Sequence, residues 1–126
     1  MGGYIKVDAE RVETTALNTK VNKDVFEDFK IYCKTLGYPM NVLLEIFMRQ
    51  YAKGNFKLKH DDIIKFNKTD KRNKATINTT FSKEIYTNFK SHCKDNGYFV
   101  SSVIMAFMEE VIKGDYIMEF TEVNNE

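Results

Sequence analysis

Two short segments, sixty residues apart, present the same kind of chemistry. In the first, Ala16, Asn18 and Lys20 alternate with Leu17, Thr19 and Val21; in the second, Thr76, Asn78 and Thr80 alternate with Ile77, Thr79 and Phe81. A side-chain amide donates and accepts hydrogen bonds, a hydroxyl does either, and an ammonium group only donates. Such a set is suited to matching hydrogen-bonding groups on another molecule. The reactive residue types are sparse by comparison. His60-Asp61-Asp62 has no further His or Cys at ligand spacing and reads as connector polarity rather than a metal site. Cys33 and Cys93 read as small core residues on a buried helical face. His92 reads as a packing residue, and Gly54 and Gly114 as helix stops. No Ser-His-Asp set, paired acids or glycine-rich fingerprint appears. The expectation is therefore a protein that is not an enzyme, with no metal, no cofactor and no small-molecule substrate.

The two segments belong to a longer internal repeat. Sliding the sequence by sixty places lays Leu17–Leu58 on Ile77–Met118 without a gap, and thirteen of those 42 positions are identical. Among them are Asn18/Asn78, Phe29/Phe89, Cys33/Cys93, Gly37/Gly97, Tyr38/Tyr98, Phe47/Phe107 and Gly54/Gly114. Each copy opens with period-2 alternation, the mark of a half-buried strand, over 16–21 and 76–81. Asn22 or Ser82 then stands where a helix N-cap belongs, with Asp24 or Glu84 in the first turn. Val25, Phe29, Cys33 and Leu36 recur at helical spacing, as do Ile85, Phe89 and Cys93, up to a left-handed cap at Gly37 or Gly97. A second helix follows, with Met40, Leu43, Leu44, Phe47, Met48 and Tyr51 on its apolar face. Its counterpart carries Val100, Val103, Ile104, Phe107, Met108 and Val111.

One such unit cannot stand alone, because a single strand leaves its backbone N–H and C=O groups unpaired. Two copies solve this if strand 16–21 pairs antiparallel with strand 76–81 and four helices enclose the apolar face formed by Leu17, Val21, Ile77 and Phe81. The predicted fold is mainly α with a two-stranded antiparallel β-ribbon. Its predicted parts are an N-terminal arm (1–14), repeats at 15–58 and 75–118, a basic linker (59–74) and an acidic tail (119–126).

A polar-alternating strand, a capped helix, a turn of the form Gly-Tyr-x-x-[Asn/Ser] and a second helix resemble the ribbon-helix-helix family of β-ribbon DNA readers, of the Arc and MetJ type. The resemblance covers about 90 of the 126 residues, in two copies. The single-chain duplication is similar to the tandem form of the conjugative accessory protein TraY. The resemblance implies an intramolecular pseudo-dimer whose ribbon enters the major groove of double-stranded DNA. Ala16, Asn18, Lys20, Thr76, Asn78 and Thr80 would then read base edges. Asn41 and Ser101, at the start of the second helix of each copy, would hold phosphate, with Lys23 and Lys83 as further phosphate contacts. Two positions depart from the family pattern: Pro39 and Phe99 stand where a Ser or Thr cap is usual, Pro39 suiting a first helical position. Within a groove, Asn can pair bidentately with adenine, Lys can reach guanine acceptors, and Thr or Ala can touch a thymine methyl.

Composition sets the remaining bounds. Nineteen Lys and Arg face 18 Asp and Glu, a net charge of +1, but the charge is segregated. Residues 53–74 hold eight basic groups against three acidic ones, and residues 109–126 hold one basic group against six acidic ones. Near-neutrality thus conceals a basic middle and an acidic end. It implies modest non-specific affinity, with discrimination left to the polar ribbon. No apolar run approaches the roughly 18 residues of a membrane span, and Met1 to Arg11 lacks the apolar segment of a secretory signal. Two cysteines are no disulfide framework, so a reducing, cytoplasmic setting is expected. The leading expectation is a transcriptional repressor or regulator. The alternatives are a plasmid-transfer accessory factor, an antitoxin-like module using its acidic tail, and a dimerisation domain without ligand. Further copies of the chain along the DNA are a partner expectation from the same resemblance.

Overall fold

The computed structural model describes Gly3 and residues 13–68 and 72–114. Most of the N-terminal arm, residues 115–118 of the second repeat and the acidic tail lie outside them. The chain runs β1 (Thr14–Asn22), α1 (Lys23–Leu36), α2 (Met40–Ala52), α3 (His60–Ile64), β2 (Lys74–Ser82), α4 (Lys83–Asp95) and α5 (Val100–Ile112). A single 3₁₀ turn, Lys65–Asn67, follows α3. The described chain is therefore mainly helical, with one two-stranded antiparallel sheet.

The strands pair as their alternation demands. Leu17, Val21, Ile77 and Phe81 are buried, and the residues between them on the even-numbered face point away from the core. Each strand begins two residues before the predicted start and runs one residue past the predicted end. Thr14 and Lys74, which open the strands, carry no apolar signal that alternation could reveal. Beyond the ladder, the Lys23 N–H donates to the Asn73 carbonyl at 3.0 Å, and the Lys83 N–H donates to the Glu13 carbonyl at 2.8 Å. Each helix start is thereby fastened to the approach of the opposite strand.

The caps differ between the copies. The Asn22 side chain accepts a hydrogen bond from the Val25 N–H at 3.0 Å, whereas Ser82, at the equivalent N-cap, makes no side-chain cap bond. Gly37 takes a left-handed φ of 80°, and its N–H donates to Cys33 and Lys34 carbonyls. Gly97, at φ 76°, does the same work one residue after the helix C-cap. Pro39 and Phe99 both sit at the N-cap of the second helix rather than inside it, with extended ψ values of 143° and 139°. Pro39 is thus one residue earlier than the first helical position expected for it. Leu36 also departs from its predicted face: at the last turn of α1 it is half-exposed, while Phe26 takes a buried place.

Packing interleaves the two copies. Helix α2 of the first repeat packs on α4 of the second, and α1 on α5. At the centre the Phe47 and Phe107 rings stack with centroids 4.0 Å apart and planes 10° from parallel. Phe29 and Phe89 meet this pair edge-on. All four rings are essentially inaccessible to water. Aromatic stacking adds to the large area such side chains bury.

The basic connector is folded, which its composition did not reveal. Ile63 of α3 is buried and Phe66 is partly buried, both against α5. His60 Nδ1 and the Tyr98 hydroxyl lie 2.7 Å apart, the Ser102 hydroxyl donates to Asn67 at 2.7 Å, and Lys65 pairs with Glu109. Asp61 and Asp62 lie in the first turn of α3, where the helix dipole favours them. Covered by the connector, α5 is buried almost all round, whereas its counterpart α2 keeps one open face. Glu109 also accepts from Lys113 at 2.8 Å. Partial burial pushes its carboxyl up, but the bonds from Lys113 and Lys65 outweigh this and hold it below its ordinary value of 4.5.

Truncating Phe107 removes both the stack and its edge contacts, so Phe107→Ala should destabilise by about 3–5 kcal/mol in urea unfolding. The depressed carboxyl of Glu109 contributes stability that is present above pH 4.5 and lost as pH falls through its lowered pKa. The loss of melting temperature caused by Glu109→Gln at pH 7 should therefore shrink as the pH falls below 4.5. A loss that stays the same across the acid range would show that packing, not the ion pair, carries the effect.

Candidate nucleic-acid interface

Among the described residues, no buried side-chain nitrogen or oxygen lacks a hydrogen-bond partner, and no cluster of His, Cys, Asp and Glu could hold a metal ion. Cys33 and Cys93 are free and buried, and burial pushes their thiols up to about 11 and about 12, so both are protonated at neutral pH. His92 packs its ring edge-on against Tyr51 at 4.9 Å. The outer face of the ribbon presents a row of exposed small and polar side chains.

The register brings the six sequence-predicted reading residues together as three facing pairs. Asn18 is opposite Asn78, Ala16 opposite Thr80, and Lys20 opposite Thr76. All six are exposed. Directly opposed residues share a face with Cβ atoms about 5 Å apart. Alternate residues along a strand are about 6.7 Å apart, so the three pairs span about 13 Å. That length corresponds to roughly four base-pair steps of 3.4 Å, and a two-stranded ribbon fits the major groove in width.

Local geometry also fixes the flanks. Lys23 and Lys83 begin α1 and α4 immediately beyond opposite ends of the ribbon. Lys83 lies 3.6 Å from the Glu13 carboxylate, an exposed pair worth little in stability. Asn41 and Ser101 occupy the second positions of α2 and α5, both half-buried, where first-turn backbone N–H groups have no intrahelical partner. Lys74, assigned from the sequence to the basic linker because it precedes the alternating run, is the first residue of β2. It extends the same outer face by one pair, opposite Asn22. Its even spacing from Thr76 and Asn78 was the available signal.

Neither protein-family models, nor curated proteins, nor solved structures give a match to this chain. Among the described residues, no helix is long and apolar enough to cross a membrane.

The outer-face residues make no packing contribution that the fold needs. Asn18→Ala and Asn78→Ala should therefore shift unfolding free energy by no more than about 0.5 kcal/mol. Asn22→Ala, which removes a cap bond, should cost about 1 kcal/mol, and Ser82→Ala should cost less because it removes none. Chemical denaturation of the four variants checks the contrast.

Proposed function

We propose that this chain is a sequence-specific double-stranded DNA-binding protein of the ribbon-helix-helix type, acting as a transcriptional repressor or regulator. In this reading the two repeats form an intramolecular pseudo-dimer and lay the ribbon in the major groove. The observation that carries it is the exposed row of opposed pairs, Ala16/Thr80, Asn18/Asn78 and Lys20/Thr76, on a ribbon whose other face is sealed into the core.

Each group has a task that its chemistry suits. Asn18 and Asn78, at the centre, offer amides that can pair bidentately with adenine. Lys20 donates to guanine O6 and N7, while the methyl groups of Ala16, Thr76 and Thr80 suit the thymine methyl. Lys23, Lys83 and the first turns of α2 and α5, with Asn41 and Ser101, serve the phosphates on either side. Because the copies are not identical on this face, the site need not be a palindrome. The reading assigns the chain no enzymatic activity and no cofactor.

Selection of bound sequences from random duplex DNA, followed by a titration across salt concentrations, tests this. A short enriched motif and an affinity that falls steeply with ionic strength are expected. Asn18→Ala and Asn78→Ala should each lose about 1–3 kcal/mol against the selected site and relax preference at one base position. Absence of any enriched motif, with DNA binding no tighter than that of a neutral control protein at low salt, would overturn the reading.

A further inference from the structure

The outer face of the ribbon is electrically lopsided. At the end where β1 finishes and β2 begins, Lys20 and Lys74 share the outer face on facing strands, one pair apart, and Lys23 follows directly. Asp24 comes next and accepts a hydrogen bond from the Asn73 amide at 2.8 Å. Among the described residues, none of these three lysines is in an ion pair. At the opposite end the same strand positions hold Ala16 and Thr80, with Thr14 and Ser82 beyond them. Lys83, the first residue of α4, lies beside Glu13, and Glu84 follows. On the outer face of the ribbon itself, two lysines at one end thus face none at the other, over strands of nine residues.

We propose that the chain binds its DNA in a single orientation, with the Lys20–Lys74 end on a G·C-containing half-site and the Ala16–Thr80 end on an A·T half-site. This rests on the DNA-binding reading above and deepens it. An A·T pair offers a lysine ammonium no two adjacent acceptors like O6 and N7 of guanine, whereas methyl-bearing Ala and Thr match thymine. Lys74 and Lys23 add phosphate attraction at the same end. There the protein grips the backbone more strongly than at the other. Reversing the duplex sets Lys20 over thymine methyls and the Ala16 methyl over guanine acceptors, of which the single Thr80 hydroxyl can satisfy only one. The penalty for leaving such groups unpaired separates the two orientations.

The test uses the full chain carrying an iron chelate on Thr87→Cys, an exposed position about one turn into α4, the helix that begins at the Ala16–Thr80 end of the ribbon. Buried Cys33 and Cys93 do not compete for the label. Bound to the selected duplex, the chelate should cut on the A·T side alone, and methylation of guanine N7 should interfere with binding on the other side alone. Lys20→Ala should lose roughly tenfold or more in affinity for the selected site and give cuts on both sides. Thr80→Ala should lose less. Equal cutting on both sides by the chain with Lys20 intact, or interference from guanines in both halves, overturns the single orientation while leaving DNA binding in place. Failure to select any sequence overturns both.

Discussion

A strand in water-excluded surroundings must pair its backbone, and everything in this molecule follows from how β1 does so. Its partner is β2, sixty residues on, and neither repeat holds a second strand among its described residues. Pairing draws in the helices that follow each strand. Because α1 lies against α5 and α2 against α4, the core is shared between the copies rather than divided. The ladder also leaves no latitude in register. A slip of either strand by one residue would turn its own apolar pair, Leu17 and Val21 or Ile77 and Phe81, outward and carry its Asn into the core. Burial on one face therefore determines which groups are displayed on the other, without those displayed groups adding to stability.

Duplication within one chain has a further consequence for which residues can differ. Phe47 and Phe107 are equivalent under the repeat and also stack on one another, so a change in either alters the space left for both. Away from such contacts the copies face unlike neighbours and have unlike residues. Val42 is half-exposed, but its counterpart Ser102 is buried under the connector and hydrogen-bonded to Asn67. Glu45 remains half-buried, while its counterpart Met105 is fully buried and its sulfur lies 3.2 Å from the Asn22 nitrogen. The connector thus accounts for the burial of Ser102, and the end of β1 for the contact of Met105.

Much of this was legible in the sequence, and the misses have causes. The strand faces, the helix positions and the left-handed glycines follow from periodicity and cap chemistry, which act over a few residues and leave a plain trace. The fold of the connector does not, because a five-residue helix is too short to show a period. Ile63, Ile64 and Phe66 within an otherwise basic stretch were the trace it did leave, matched by small or apolar Ser102, Met105 and Ala106 on α5. Ser82 has the right residue type for a cap and makes no cap bond, since residue type permits that bond without enforcing it. The candidate interface was legible as a list of residues. That they face each other in pairs, and that Lys74 joins Lys20 at one end, depends on a long-range register that only the paired strands supply.

Asn is a poor strand former, and two of them stand opposed at the middle of the molecule's one described sheet. Packing accounts for the recurrence of Phe47 and Phe107, and small size on a buried helical face accounts for Cys33 and Cys93. No such account exists for Asn18 and Asn78, which are exposed and make no contact on which the core depends. A Thr or Val at either place would favour the strand more and leave the buried face untouched. The amide is the one thing Asn brings there that those residues lack, and among the described residues neither amide is engaged in a hydrogen bond. That is why the centre of the ribbon, where local preference and observed structure disagree, carries the proposed recognition of DNA.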